Sequence, residues 1–138
     1  MDCIFVKSFL FKHYQMLRTI FLVAIGGATG SVLRYLTSVV VQKYYAHVFP
    51  LATLITNVIG CLLIGIIVGW LSKNQMNDSN LKWLLVTGFC GGYTTFSAFG
   101  LENVTLLQNG NSGWAFLYIA TSVIVGLAAV WGGLWLTK

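Results

Sequence analysis

Long apolar runs, separated by short polar connectors, organise the chain. The runs extend from about Leu17 to Val41, Leu51 to Leu71, Leu81 to Leu107 and Trp114 to Thr137. Each is long enough to cross a bilayer, which takes about 20 mostly apolar residues. The connectors read QKYYAHVFP, SKNQMNDSN and QNGNSG. Tyr44, Tyr45, Trp70, Trp83, Trp114 and Trp135 fall near segment ends, where amphipathic rings favour the membrane interface. Pro50 stands where the second helix begins, the position at which a helix tolerates proline best. The pattern predicts an all-α membrane protein with four transmembrane helices and both termini on one side.

The third run departs from that simplicity. GFCGGYTTFSAFGLENV (88–104) places Gly91 and Gly92 ahead of Thr94, Thr95 and Ser97. Glycine costs about 1 kcal/mol in a helix interior and threonine is a weak helix former. Irregular backbone survives at membrane depth only where protein or water surrounds it. A break is therefore expected at Gly91-Gly92 and the Tyr93-Thr94-Thr95 that follows, freeing carbonyls that suit a cation. Glycines that merely let another helix approach would not need the hydroxyls. Phe96 and Phe99 share one face of the resumed helix. Ordinary packing accounts for most such pairs, but the positive edge of a phenyl ring can also hold an anion.

Other helices carry small or polar stripes. In the second, Thr53, Asn57, Cys61 and Gly65 recur every four residues on one face. Asn57 can serve a neighbouring helix, or offer its two N–H donors to a dehydrated anion. In the fourth, Tyr118, Ser122, Gly126, Ala129 and Gly133 form a similar track, with Thr121 beside it. Gly26-x-x-x-Gly30 and Gly65-x-x-x-Gly69 have a close-packing spacing. Four helices make a thin bundle that cannot both enclose a pore and bury every polar face, so an oligomer is expected, most simply a dimer. Arg34 and Glu102 are costly in hydrocarbon, yet both lie toward segment ends, within reach of water or of each other.

Composition narrows the class. The chain is 57% hydrophobic and 8% charged, against about 25% charged in soluble domains. The net charge of +5 is scattered between apolar runs, which suits anionic headgroups rather than nucleic acid. Lys7, Lys12, Arg18, Lys73, Lys82 and Lys138 fall on the side of the termini, whereas Lys43 is opposite and Arg34 lies toward that opposite end. The positive-inside rule then places the termini in the cytoplasm. Cys3, Cys61 and Cys90 are an odd number and read as small buried residues rather than a disulfide framework or metal site. His13 and His47 stand alone, and no nucleophile–base pair or metal-ligand cluster suggests an enzyme. Residues 1–15 read either as an interfacial stretch or as sequence upstream of an initiator at Met16, leaving 16–138 as a single four-helix transmembrane domain.

GGATGSVLRY (26–35), PLATLITNVIG (50–60) and GFCGGYTTFSAFGLE (88–102) together make the chain resemble the bacterial fluoride-channel family known as Fluc or CrcB, over residues 16–138. The resemblance implies an antiparallel, dual-topology dimer in the cell membrane, with two narrow pores that carry fluoride. It also implies a structural, non-transported sodium ion at the dimer centre, held by backbone carbonyls of Gly91 and Thr94. Phe96, Phe99 and Asn57 would face the pores, with the Thr95 and Ser97 hydroxyls beside them and Tyr118 and Ser122 as the polar track. Gly126 stands where a further hydroxyl is expected. The one-sided charge bias leaves a homodimer and a heterodimer with an oppositely inserted paralogue both open. The function implied is passive fluoride export. A small multidrug or proton-coupled transporter is the rival, although helices one and two carry no carboxylate to couple a proton; a non-conducting assembly subunit is a second.

Overall fold

The structure, a computed structural model, describes residues 2–76 and 80–138, with side chains from Lys12 onward. Residues 77–79 of the second connector, and the side chains of Cys3 and Lys7, lie outside the described residues. Helix α1 spans Asp2–Tyr44 and α2 spans Leu51–Lys73. Helix α3 occupies residues 82–93, wound as a π-helix over Lys82–Cys90 and as a single α turn over Gly91–Tyr93. Helix α4 spans Phe96–Gln108 and α5 spans Ser112–Leu136. With α3 and α4 forming one span, the described residues contain four helical stretches long and apolar enough to cross a membrane: Lys12–Tyr44, Leu51–Lys73, Lys82–Gln108 and Ser112–Leu136. The protein is thus an all-helical, multi-pass membrane protein.

Helix α1 is longer than its apolar run requires. Its 43 residues at about 1.5 Å each extend about 65 Å, twice a hydrocarbon core of about 30 Å. The leader therefore continues α1 as helix instead of forming a separate element.

Helix ends follow local chemistry. Helix α2 closes in a Schellman arrangement: Met76 N–H donates to the Leu71 carbonyl at 2.8 Å and Gln75 N–H to Ser72 at 3.1 Å. Helix α4 closes identically, with Asn111 N–H on Leu106 at 2.9 Å and Gly110 N–H on Leu107 at 3.1 Å. Both turns need a residue at positive φ. Gly110 supplies it at 75° without a steric penalty, while Gln75 adopts 54°.

Two close helix pairs build the bundle, α1 with α3 and α2 with α5, and α2 joins the pairs. Glycines set the approach, as the GxxxG spacings anticipate. A methyl group at Gly26 would strike the Leu84 carbonyl, and one at Gly30 the Phe89 carbonyl. At Gly65 it would meet Val130 of α5. Backbone contact of this kind is how helices associate without a hydrophobic driving force between them. Few apolar side chains are buried among the described residues: Leu106, Ala115 and Tyr118 cluster with Phe49, Leu54 and Phe99 packed on them, and Leu71, Cys90 and Tyr93 are buried elsewhere. Large apolar side chains such as Phe116, Leu127 and Trp131 face outward instead, as befits a surface solvated by lipid.

Candidate functional site: two clefts divided by an extended segment

The helical path of the third span is interrupted at Thr94 and Thr95, not at the glycines. Gly91 keeps φ −63° and ψ −35°, whereas Thr94 takes φ −84°, ψ 159° and Thr95 φ −150°, ψ 125°. Gly91 and Gly92 both remain helical, and at Gly92 the role is steric. A methyl at Gly92 would lie 2.5 Å from the Gly27 carbonyl oxygen. The two threonines, β-branched and able to bond their own neighbourhood, take the extended geometry.

Two extended residues in a membrane leave backbone groups that must be satisfied, and side chains from three directions do so. Asn57 of α2 binds Thr95 at both ends of its carboxamide: Nδ2 donates to the Thr95 carbonyl at 3.1 Å, and Oδ1 accepts the Thr95 N–H at 2.8 Å. That N–H is the one a continuous helix would give to the Gly91 carbonyl. From α1, Arg34 Nη1 donates to the Thr94 carbonyl at 3.3 Å and Ser31 Oγ to the Gly92 carbonyl at 3.4 Å. Thr94 Oγ1 donates to Cys90 at 2.9 Å. Thr95 Oγ1 accepts the Ala98 N–H at 3.3 Å, capping α4, and lies 3.1 Å from Ser97 Oγ. An N-cap of this type is worth about 1 kcal/mol.

The extended segment separates two clefts. One, about 410 Å³, is mostly apolar and is lined by Asn57, Cys61, Cys90, Phe96, Phe99 and Ser122 among others. The second, about 450 Å³, is polar and holds Arg34, Thr53, Ser97 and Glu102. Thr95 lines both. Within the apolar cleft the Phe96 and Phe99 ring centroids lie 5.6 Å apart at 36°. Phe96 is 82% exposed, so its ring contributes little to the fold of one chain. Ser122 Oγ is buried without a hydrogen-bond partner among the described residues. An unpaired hydroxyl in an apolar wall costs about 1–3 kcal/mol, and the residue that carries it lines the cleft.

Most residues singled out in the sequence therefore converge: Asn57, Thr95, Phe96, Phe99 and Ser122 on the apolar cleft, and Ser97 on the polar one. Gly91 and Thr94 also line the apolar cleft. Tyr118 lies apart from both. It is fully buried, 5.0 Å from the Phe99 ring and 5.5 Å from that of Phe49. Its hydroxyl donates to Glu102 Oε2 at 2.8 Å, and Thr53 Oγ1 donates to Glu102 Oε1 at 2.6 Å. Glu102 is thus engaged by α2 and α5. It makes no ion pair with Arg34 among the described residues, since Arg34 turns to Thr94. Sequence reasoning did not find this Thr53–Glu102–Tyr118 network or the Arg34–Thr94 bond. All the residues concerned stand out in the sequence, but spacing within one helix carries no information about partners on another.

Comparison with known proteins agrees with this architecture. The profile of the family described as CrcB-like protein, Camphor Resistance (CrcB), matches residues 21–134. A protein of Flavobacterium psychrophilum named fluoride-specific ion channel FluC is 54% identical over 122 residues, covering 88% of this chain and 98% of that protein. One of the same name from Azobacteroides pseudotrichonymphae is 49% identical over 123 residues, covering 89% and 98%. Another, from Campylobacter fetus, is 46% identical over 121 residues, covering 87% and 94%. With a family match across all four spans, the chain belongs to the CrcB-like family.

Proposed function

We propose that the protein is a fluoride channel of the cell membrane which lowers cytoplasmic fluoride by passive export, working as an antiparallel dual-topology dimer. The observation that carries this reading is the Ser122 hydroxyl, buried and unpaired beside the apolar cleft that Asn57, Thr95, Phe96 and Phe99 also line. Fluoride is small and tightly hydrated, so a path for it must replace water with close donors. The cleft offers the Ser122 O–H, the second Asn57 N–H left after Thr95 is served, and the positive edges of two phenyl rings. It holds no fixed positive charge to trap the ion. Arg34 stands instead in the polar cleft, where a cation raises the local anion concentration at an entrance. The names of the relatives support fluoride as the permeant ion.

Export needs no pump. Hydrogen fluoride enters as a neutral molecule from an acidic exterior and dissociates in the more alkaline cytoplasm. An inside-negative potential then favours anion exit by about 2.3 kcal/mol per 100 mV, a ratio of roughly fifty.

A sodium ion at the dimer centre fits the donor set in part. The Gly91 carbonyl has lost its helical N–H partner to Asn57. The Thr94 carbonyl accepts from Arg34 but keeps a second lone pair. Two neutral oxygens from one chain are too few for a hard cation, and a second copy related by a two-fold axis would double them. Such an ion would supply charge only, fixing the two extended segments against each other. The exposed Phe96 ring beside them favours the same partner.

Liposome efflux tests the function. Purified protein is expected to pass fluoride without a proton gradient and to discriminate strongly against chloride. Exchange of a cationic drug for protons with no fluoride flux would move the protein to the transporter reading.

A further inference from the structure

Cys61 and Cys90 are both free thiols and both line the apolar cleft. They come from different helices but sit at one level. Gly60 packs against the Thr94 side chain and lies 3.5 Å, measured from an added Cβ, from Tyr93. Cys61 is one residue beyond that contact, while Cys90 is one turn before Thr94, whose hydroxyl donates to the Cys90 carbonyl. Because α2 and α3 run in opposite directions, both displacements lead toward the same end of the bundle. Both thiols line the cleft, Cys90 2% exposed and Cys61 half-buried, and the Cys61 sulfur lies 3.6 Å from a Cβ built at Gly126, where no side chain fills the space.

We infer that Cys61 and Cys90 form a two-thiolate site for a soft divalent metal ion, mercury(II) being the best match, within the proposed conduction cleft. The ligand count decides the metal. Among the described residues no group of three or more His, Cys, Asp or Glu side chains comes together, so zinc, which takes four ligands in structural sites, is not served. Soft thiolates select soft ions, and mercury(II) accepts two thiolates in a linear arrangement. Charge favours it again. Two thiolates with a divalent ion make a neutral complex, whereas silver(I) or copper(I) would leave one negative charge in a low-dielectric wall, which is expensive. On binding mercuric chloride, two S–H and two Hg–Cl bonds break, two S–Hg bonds form, and two protons and two chloride ions leave to water, with no change of oxidation state. An ion held there occupies the space beside Asn57 and Phe99, so it blocks the path.

The test has two arms, and only the second rests on the fluoride-channel reading. In the first, the full chain carrying Cys3→Ser is titrated with mercuric chloride in detergent and the bound metal is counted. One tightly bound ion per chain is expected, with affinity falling about a hundredfold or more when Cys61→Ser or Cys90→Ser is added. Unchanged affinity in either variant, or tight binding that survives both substitutions together, would overturn the site. In the second, each variant's fluoride efflux is compared with and without the metal. Block that is reversed by added thiol is expected with both cysteines present, and none with either replaced. An ion that binds without slowing efflux would overturn the blocking role. A protein that carries no fluoride would still report on the site through the first arm.

Discussion

Asn57 had two readings in the sequence, a helix-to-helix bond or an anion donor, and the folded chain gives it a third position between them. One N–H and the oxygen are engaged by Thr95, so the residue holds the extended segment in shape while a second N–H remains. Asn57→Asp keeps the acceptor for Thr95 N–H but sets a carboxylate oxygen against the Thr95 carbonyl. Loss of the donor and this repulsion should cost at least about 1.4 kcal/mol, so fluoride efflux is expected to fall by about tenfold or more. Phe96→Ile makes the opposite separation. Its ring is 82% exposed, so no core packing is lost; efflux should fall while gel filtration and thermal unfolding stay unchanged. Efflux equal to wild type would remove Phe96 from the path.

At the scale of elements, glycine is a spacing device in this fold. Gly92→Ala would place a methyl 2.9 Å from the Gly27 Cα, with backbone on both sides and nothing flexible to yield. A destabilisation of about 1–3 kcal/mol is expected, read as a lower unfolding temperature in detergent. Gly132→Ala in α5 meets nothing within 4 Å and should be neutral or stabilising by up to about 1 kcal/mol through helix propensity. Equal behaviour of the two variants would mean that α1 and α3 do not approach as described. The third span also shows where local propensity and packing part. Two adjacent glycines are the strongest break signal in its sequence, yet both stay helical, with α1 packed against Gly92, and the extended geometry falls at Thr94 and Thr95.

For the whole molecule, a small core and an outward face rich in large apolar residues suit lipid on most sides and a second copy beside the third span. If sodium joins the two copies, replacing it with a bulky organic cation should lower the stability of the dimer. Titrating sodium back should restore up to about 2.7 kcal/mol at a hundredfold excess over its dissociation constant, followed by unfolding temperature and by gel filtration. A dimer indifferent to sodium would remove the ion from the proposal. Liposome efflux checks that fluoride movement is not coupled to sodium, since efflux should be independent of which side holds sodium.

The sequence by itself determined that this is a four-span membrane protein, because hydropathy and length are additive along the chain and the bilayer reads them locally. It also marked the chemically unusual residues, since Asn57, Arg34, Thr95, Phe96 and Glu102 are conspicuous against apolar surroundings. Only the tertiary structure decided their partners. Arg34 and Glu102, plausible mates by charge, bond instead to Thr94 and to Thr53 and Tyr118. Tyr118, on the same helical track as Ser122, is buried in the core while the Ser122 hydroxyl stays unpaired at the cleft. Which hydrogen bond forms depends on which helices stand side by side and at what height, and backbone contacts between distant glycines set that arrangement.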